Sequence, residues 1–166
     1  MKLTFRLLLL CLFIPSLAVA KEWDEDMYKQ IEKSIQLPQL SDKEYSIVKF
    51  GAKPEATAVQ NQKAIQKAID KCSKNGGGRV IVPAGEFKTG AITLKSHVNF
   101  LLSEGAVMKF VFQPELYPIV ETSWEGLECY NLSPCVYDNK AEHIAITGKG
   151  TIDGGGSRET WWPWCG

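Results

Sequence analysis

A glycine-rich segment followed by a series of short strand-like runs is the feature that most constrains how this chain can fold. Gly76-Gly77-Gly78 leads into residues 80–82, and further apolar runs of four to seven residues occupy 91–94, 98–102 and 106–112. β-Branched and aromatic residues bounded by Gly, Pro and Ser predict strands joined by tight bends. No helix-length segment separates the runs, and the bends lack the Asn-Gly and Asp-Gly pairs typical of two-residue hairpins. This pattern favours a coil whose turns stack on one another, with a β-sandwich as the alternative.

An ordered set of short phrases narrows the choice. These phrases are Phe50-Gly51-Ala52-Lys53, Asn61 with Ala64-Ile65-Gln66-Lys67-Ala68-Ile69, Gly76-Gly77-Gly78, Val82-Pro83-Ala84-Gly85, Thr89-Gly90-Ala91-Ile92-Thr93-Leu94-Lys95-Ser96, Ile144-Ala145-Ile146-Thr147-Gly148-Lys149-Gly150-Thr151-Ile152-Asp153-Gly154 and Trp161-Trp162-Pro163-Trp164. Together they resemble the N-terminal part of the polygalacturonase family of glycoside hydrolases (family 28), from about Tyr45 to Gly166. The resemblance implies a mainly β fold, a right-handed single-stranded parallel β-helix, with an N-terminal amphipathic capping helix.

The resemblance also implies four catalytic motifs, namely Asn-x-Asp, Asp-Asp, Gly-His-Gly and Arg-x-Lys. It further implies inverting hydrolysis, in which one aspartic acid protonates the leaving oxygen and another activates water. None of the four motifs occurs in the sequence. We therefore expect an incomplete β-helix over residues 45–166 that stops before the catalytic coils. Such a chain has no catalytic residues, needs no cofactor and is inactive alone.

The first twenty residues have the pattern of a secretory signal peptide. Lys2 and Arg6 precede the apolar stretch 7–14, and Ala18-Val19-Ala20 supplies the small residues of a cleavage site. The apolar stretch is too short to predict a transmembrane span, so we expect a secreted or periplasmic protein without a membrane anchor. The sequence has 19 basic and 19 acidic residues, and removal of Lys2 and Arg6 leaves 17 against 19. That charge balance does not favour a nucleic-acid partner.

Two amphipathic helices are predicted before the strands. Residues 22–37 carry Trp23, Met27, Ile31 and Ile35 at four-residue steps, which predicts a helix that packs against the domain, followed by a linker to residue 44. The linker leads to a first strand predicted over Tyr45–Phe50. The second helix has Ala64, Ile65, Ala68, Ile69 and Cys72 on one face, with Thr57 and Gln60, or Asn61 alone, as its N-cap and Asn75-Gly76 as its end. An apolar first coil needs a cover, and this second helix fits that role.

Four cysteines follow the signal segment: Cys72, Cys129, Cys135 and Cys165. Four cysteines allow three connectivities, and Cys129 with Cys135 would close a short loop. Buried free thiols are the alternative interpretation. The spacing does not match a zinc site.

The segment 113–139 interrupts the strand rhythm, and Pro114, Pro118 and Pro134 punctuate it. A long irregular insert on a repetitive scaffold is often a binding loop, so Trp124 and Glu125 are the candidate substrate-binding residues, beside Glu128. Packing of the aromatic ring and solvation of the carboxylates are the alternatives. The same two interpretations, stacking on a sugar ring or packing in the core, apply to Trp161, Trp162 and Trp164. For these three residues we favour packing.

The remaining polar residues are interpreted as structural. Asp153 in Thr-Ile-Asp-Gly is typical of a turn residue that bonds its own backbone. His97 and His143 are interpreted as isolated surface histidines, so no metal site is predicted. The leading hypothesis is the first part of a pectin hydrolase with a galacturonan or rhamnogalacturonan substrate. The alternatives are a polysaccharide lyase and a non-catalytic carbohydrate-binding or tailspike-like β-helix.

Overall fold

The computed structural model describes residues 24–165, with side chains up to residue 163, and the predicted signal peptide lies outside this range. Its two α-helices are α1 (Glu25–Ser34) and α2 (Ala58–Lys74), and short 3₁₀ turns cover Ile47–Phe50, Pro114–Leu116 and Trp162–Cys165. The strands of the described chain are β1 (Glu44–Ser46), β2 (Gly78–Val82), β3 (Gly85–Thr89), β4 (Ile92–Thr93), β5 (Val98–Leu102), β6 (Ala106–Phe110), β7 (Ile119–Trp124), β8 (Leu127–Leu132), β9 (Val136–Tyr137), β10 (Ala145–Gly148) and β11 (Thr151–Asp153).

Helix α1 belongs to a compact unit that ends at Leu37, and a second unit begins at Pro38. The helix is confirmed over Glu25–Ser34, a shorter span than the predicted 22–37. Asp24 caps it, because its carboxylate accepts from the backbone N–H groups of Asp26 and Met27 at 3.1 and 3.0 Å. Packing of its apolar stripe against the domain stays a prediction, and Trp23 lies outside the described residues.

The second unit contains three parallel sheets, and the chain visits them in turn. The sheets have the strand orders β1-β2-β5-β10, β3-β6-β11 and β4-β9. One coil therefore consists of β2, β3 and β4, the next of β5, β6 and β9, and the last described coil of β10 and β11. Parallel pairing of residues 80–82 with later strands is confirmed. The β-sandwich alternative is wrong, because every one of these ladders is parallel.

Side chains on the inner face stack in register from coil to coil. Val80 pairs with Phe100, and Phe100 pairs with Ile146; on the second sheet, the corresponding column is Phe87, Met108 and Ile152. The first two members of each column are at most 1% exposed, whereas the two isoleucines of the last coil are 47% and 43% exposed. The core is therefore closed at β2 and β5 and open at β10 and β11.

Helix α2 lies against the first coil and buries the predicted face. Ile65 and Ile69 are both fully buried, and the helix contacts β2 and β3. Thr57 and Gln60 form a reciprocal capping box, so the Thr57 alternative for the N-cap is confirmed. Asn61 is instead a buried residue inside the helix, where its amide group bonds the backbone of Lys53 in both directions.

Two strand predictions are corrected by the structure. The first strand was expected over 45–50, but Glu44–Ser46 alone pairs with β2, and Ile47–Phe50 turns as a 3₁₀ helix that buries Ile47. Gly85–Thr89 was not predicted as a strand. It pairs with β6 along its whole length, and its exposed Glu86 and Lys88 alternate with the buried Phe87 and Thr89.

The insert 113–139 was expected to be irregular, and this expectation is wrong. Strands β7 and β8 pair antiparallel over six residues each, from Ile119↔Leu132 to Trp124↔Leu127. Strand β9, after the hairpin, returns to the parallel stack by pairing with β4. The insert is therefore a hairpin that projects from the second coil.

Candidate functional site

Trp124 and Glu125, the two predicted substrate contacts, lie at the tip of the β7–β8 hairpin. Glu125 and Gly126 form its two-residue turn with φ values of 51° and 86°. Positive φ at both central residues is the geometry of a type I′ turn, which matches the right-handed twist of the flanking strands. Glycine takes this geometry readily, whereas a glutamate takes it at some cost in backbone strain. Glu125 therefore has a local structural role in addition to any contact with a ligand.

The hairpin surface combines exposed apolar side chains with negative charge. Trp124 is 68% exposed and Tyr130 is 75% exposed. Three carboxylates, those of Glu121, Glu125 and Glu128, lie on the same two strands and their turn, and no lysine or arginine occurs between residues 113 and 139. An aromatic face in this setting can stack on the apolar face of a sugar ring, while the glutamates repel an anionic polymer.

A small apolar pocket of about 190 Å³ lies at the base of the hairpin. It is lined by Tyr117, Leu132, Ser133, Pro134, Cys135, Gly154 and Trp161. The Tyr117 hydroxyl donates to the Val111 carbonyl at 2.9 Å, and burial raises the pKa of this phenol above its ordinary value. A phenol held neutral and already donating to the backbone orders this corner instead of supplying a base.

Trp161 packs against neighbouring rings. Its indole meets Phe112 and Tyr117 edge to face, with ring centroids 4.8 and 5.1 Å apart. The packing interpretation is therefore confirmed for Trp161. Trp162 is 57% exposed, and the side chain of Trp164 lies outside the described residues.

Asp153 has the structural role expected of it. Its Oδ1 accepts from the backbone N–H of Gly155 at 2.9 Å, so the carboxylate closes the bend that follows β11.

His97 and His143 were expected to be isolated, and the structure shows that this is wrong. Their rings stack with centroids 5.2 Å apart and an interplanar angle of 15°. Each residue precedes a strand of the first sheet, and the ladder register places the two at equivalent positions of successive coils. Gly77 holds the same position one coil earlier, where a Cβ atom would collide with the His97 carbonyl. The described residues contain no group of three or more His, Cys, Asp or Glu side chains that could hold a metal ion together.

The structure has Cys72, Cys129 and Cys135 as free thiols, so the Cys129–Cys135 bridge is not formed. Cys72 is fully buried on the inner face of α2, and this burial raises its thiol pKa from 9.0 to about 11. Burial also raises the pKa of Cys135, and a hydrogen bond with Tyr117 opposes that shift. The side chain of Cys165 lies outside the described residues.

Comparison with known proteins finds polygalacturonases among the proteins similar to this chain. No family model matches the chain. The crystal structure of a hyperthermoactive exopolygalacturonase from Thermotoga maritima superposes with a TM-score of 0.77 at 41% identity, over 84% of this chain and 31% of that one. An exo-poly-α-D-galacturonosidase from Dickeya chrysanthemi is 38% identical in an alignment of 119 residues that covers 67% of this chain and 19% of that protein. Over these coils the chain is related to the polygalacturonases.

One match within this set carries a different name. Alginate lyase 7 from Azotobacter vinelandii is 30% identical in an alignment of 125 residues that covers 67% of this chain and 14% of that protein. The chain thus spans less than a third of the length of each of these three proteins. The two galacturonan-named proteins above are more similar to this chain in sequence, at 41% and 38% identity, and the first of them also superposes on it in three dimensions.

No helix among residues 24–165 is long and apolar enough to cross a membrane.

Proposed function

We propose that this chain forms the first coils of a secreted or periplasmic glycoside hydrolase that cleaves α-galacturonosyl bonds of pectin with inversion. The observation that supports this proposal most directly is the similarity to the Thermotoga maritima exopolygalacturonase, at 41% identity and a TM-score of 0.77. The catalytic acid and base come from coils beyond those of this chain, because none of the four catalytic motifs of the family occurs in its sequence.

The packing of the coils supports a longer right-handed parallel β-helix. The last coil has Ile146 and Ile152 in columns whose earlier members are at most 1% exposed, yet these two side chains are 47% and 43% exposed. A further coil would cover them and pair the free edges of β10 and β11, as β5 does for β2. At the opposite end, α2 acts as the cap, because its buried face covers the first coil.

The substrate contact assigned to this chain is at the hairpin tip. The exposed indole of Trp124 offers a stacking face for a pyranose ring. The carboxylate of Glu125 accepts hydrogen bonds from the hydroxyl groups of the sugar. It does not approach the carboxylates of a galacturonan, because like charges repel. The hairpin therefore contributes shape and stacking, while the positive groups that neutralise the polymer lie elsewhere.

Hydrolysis by the whole protein tests this proposal. The gene is expressed with all its downstream coils, and reducing ends are measured after incubation with polygalacturonate and with alginate. Release from polygalacturonate without an unsaturated product is the expected result. No release from polygalacturonate would overturn the proposal.

The match to alginate lyase 7 makes a polysaccharide lyase the second candidate. A lyase breaks the glycosidic bond by β-elimination and leaves a carbon–carbon double bond in the new non-reducing end, whereas a hydrolase adds water. Ultraviolet absorbance of the products therefore separates the two reactions in the same assay.

A further inference from the structure

A polar cleft of about 400 Å³ lies beside the cap helix, away from the hairpin tip. It is lined by Gln62, Lys63, Gln66, Asp70, Ala91, Thr93, Lys95 and Pro118. Helix α2 supplies the first four residues, and the others come from β4 and its flanks and from the residue that precedes β7. The volume is within the range of roughly 300–1,000 Å³ usual for small-molecule sites.

Two glutamines fix the walls of this cleft. Gln62 donates through Nε2 to the carbonyls of Ala91 and Leu116, at 2.7 Å each. Gln66 accepts from the Thr93 N–H at 2.9 Å and donates to the Thr93 carbonyl at 3.0 Å. These bonds join helix to strand on both sides, so the distance between the walls is set before any ligand arrives.

The charged side chains that line the cleft have a net positive charge, and the two lysines among them form no ion pair with another described residue. Lys63 and Lys95 supply two ammonium groups, and neither forms an ion pair with another described residue. Asp70 supplies one carboxylate, whose Oδ1 accepts from Gln66 at 2.9 Å, so its other oxygen is left as an acceptor. The net charge of the lining is +1. The hairpin has the opposite charge, since it carries glutamates and no basic residue.

We infer that this cleft binds a uronate unit of the polysaccharide, as an anchoring site separate from the catalytic coils. Lys63 and Lys95 hold the carboxylate of the sugar. Asp70 and the hydroxyl of Thr93 accept from its hydroxyl groups, and Ala91 with Pro118 provides apolar surface. The uronate assignment rests on the proposed function, but binding itself requires none of the missing catalytic groups.

Affinity electrophoresis of the chain without its first 20 residues tests the inference. Mobility is compared in native gels with no polymer, with polygalacturonate and with fully methyl-esterified polygalacturonate. We expect retardation by the free acid alone. Replacing both lysines, K63Q with K95Q, should weaken the apparent affinity roughly tenfold, because two solvent-exposed ion pairs with the sugar carboxylate are lost.

The matched control is the double variant K67Q with K71Q. It removes the same charge from exposed positions of the same helix that do not line the cleft. It should bind like the unaltered chain, and K63R with K95R should retain binding because the two cations remain. Circular dichroism checks that each variant is folded.

Several results would overturn the inference. One is that the esterified polymer retards the chain as much as the free acid does. Another is that K67Q with K71Q weakens binding as much as K63Q with K95Q does. The third is that sulfate releases the polymer from the chain more effectively than chloride at the same ionic strength. The last result would indicate a general anion site. The gel needs no hydrolysis, so failure here leaves the proposed function intact. A whole protein inactive on polygalacturonate overturns the proposed function, whatever the gel shows.

Discussion

Replacing Asn61 with alanine should destabilise the fold far more than the size of the change suggests. The side chain is fully buried, and it bonds the backbone of Lys53 twice: Oδ1 accepts from the N–H at 2.9 Å, and Nδ2 donates to the carbonyl at 3.0 Å. Each bond contributes about 0.5–1.5 kcal/mol, and the two backbone groups left without partners add to the loss. We expect the free energy of unfolding to fall by about 2–4 kcal/mol.

The assay is urea unfolding followed by circular dichroism and tryptophan fluorescence. The control is Lys67→Ala, an exposed change on the same helix, which should stay within about 0.5 kcal/mol of the parent. Asn61→Asp separates the two bonds, because it keeps an acceptor for the Lys53 N–H and places a second acceptor against the carbonyl. It should be destabilised as well. A loss below about 0.5 kcal/mol for Asn61→Ala would refute the reasoning, since it would mean that water replaces both bonds at no cost.

Four more outcomes are expected. Burial raises the pKa of Cys72 to about 11, so its native thiol keeps a proton that the unfolded chain releases near pH 9. The free energy of unfolding should therefore fall as the pH rises from about 9 to about 11. Urea unfolding at a series of pH values should show a smaller fall for Cys72→Ala. Glu125→Asn should raise that free energy by about 0.5 kcal/mol, because asparagine tolerates positive φ better, and an unchanged urea midpoint would contradict this. Trp124→Ala in the whole protein should raise KM for polygalacturonate at unchanged thermal stability, and the reverse pattern would indicate packing. The chain alone should release no reducing ends from polygalacturonate, and turnover within tenfold of a whole relative would show that acid and base lie among its own carboxylates.

The parts of the fold predicted from the sequence are those in which local chemistry and burial agree. Helix α2 is an example, because its apolar face, its Thr57 capping box and its Asn75-Gly76 end all mark the same span. The run Gly76-Gly77-Gly78 was informative for a similar reason. All three glycines have positive φ, and Gly77 also passes too close to the His97 carbonyl for any side chain. Such positions are visible in a sequence because few residues satisfy them.

The parts that were missed depend on partners distant in the sequence. Strand β3 has one large inward side chain, Phe87, and its strand character comes from pairing with β6. The hairpin was missed because its turn is Glu125-Gly126 instead of the Asn-Gly or Asp-Gly pair typical of two-residue hairpins. The alternation on either side of that turn was the available signal.

The candidate site divides in the same way. Trp124 and Glu125 were selected because they lie in an insert, and the structure places them together at an exposed tip. The stacked pair His97 and His143 and the polar cleft beside α2 were missed, because both are formed by residues that are distant in the sequence and meet only in the folded chain. His97 and His143 are 46 residues apart and meet through the register of β5 with β10. Pairing of this kind is set by the three-dimensional stack and leaves no local trace.

The hairpin has a consequence for how readily this scaffold accepts added chain. Phe100 follows Val80 by 20 residues, whereas Ile146 follows Phe100 by 46, because the hairpin is inserted in the second coil. Both pairs nevertheless stack in the same register. Loop-closure entropy grows only with the logarithm of length, so the longer excursion costs about 0.7 kcal/mol more than the shorter one. A single buried leucine or phenylalanine offsets that amount. New recognition elements can therefore be added at the corners of such a stack at little thermodynamic cost, while the repeating core beneath them stays unchanged.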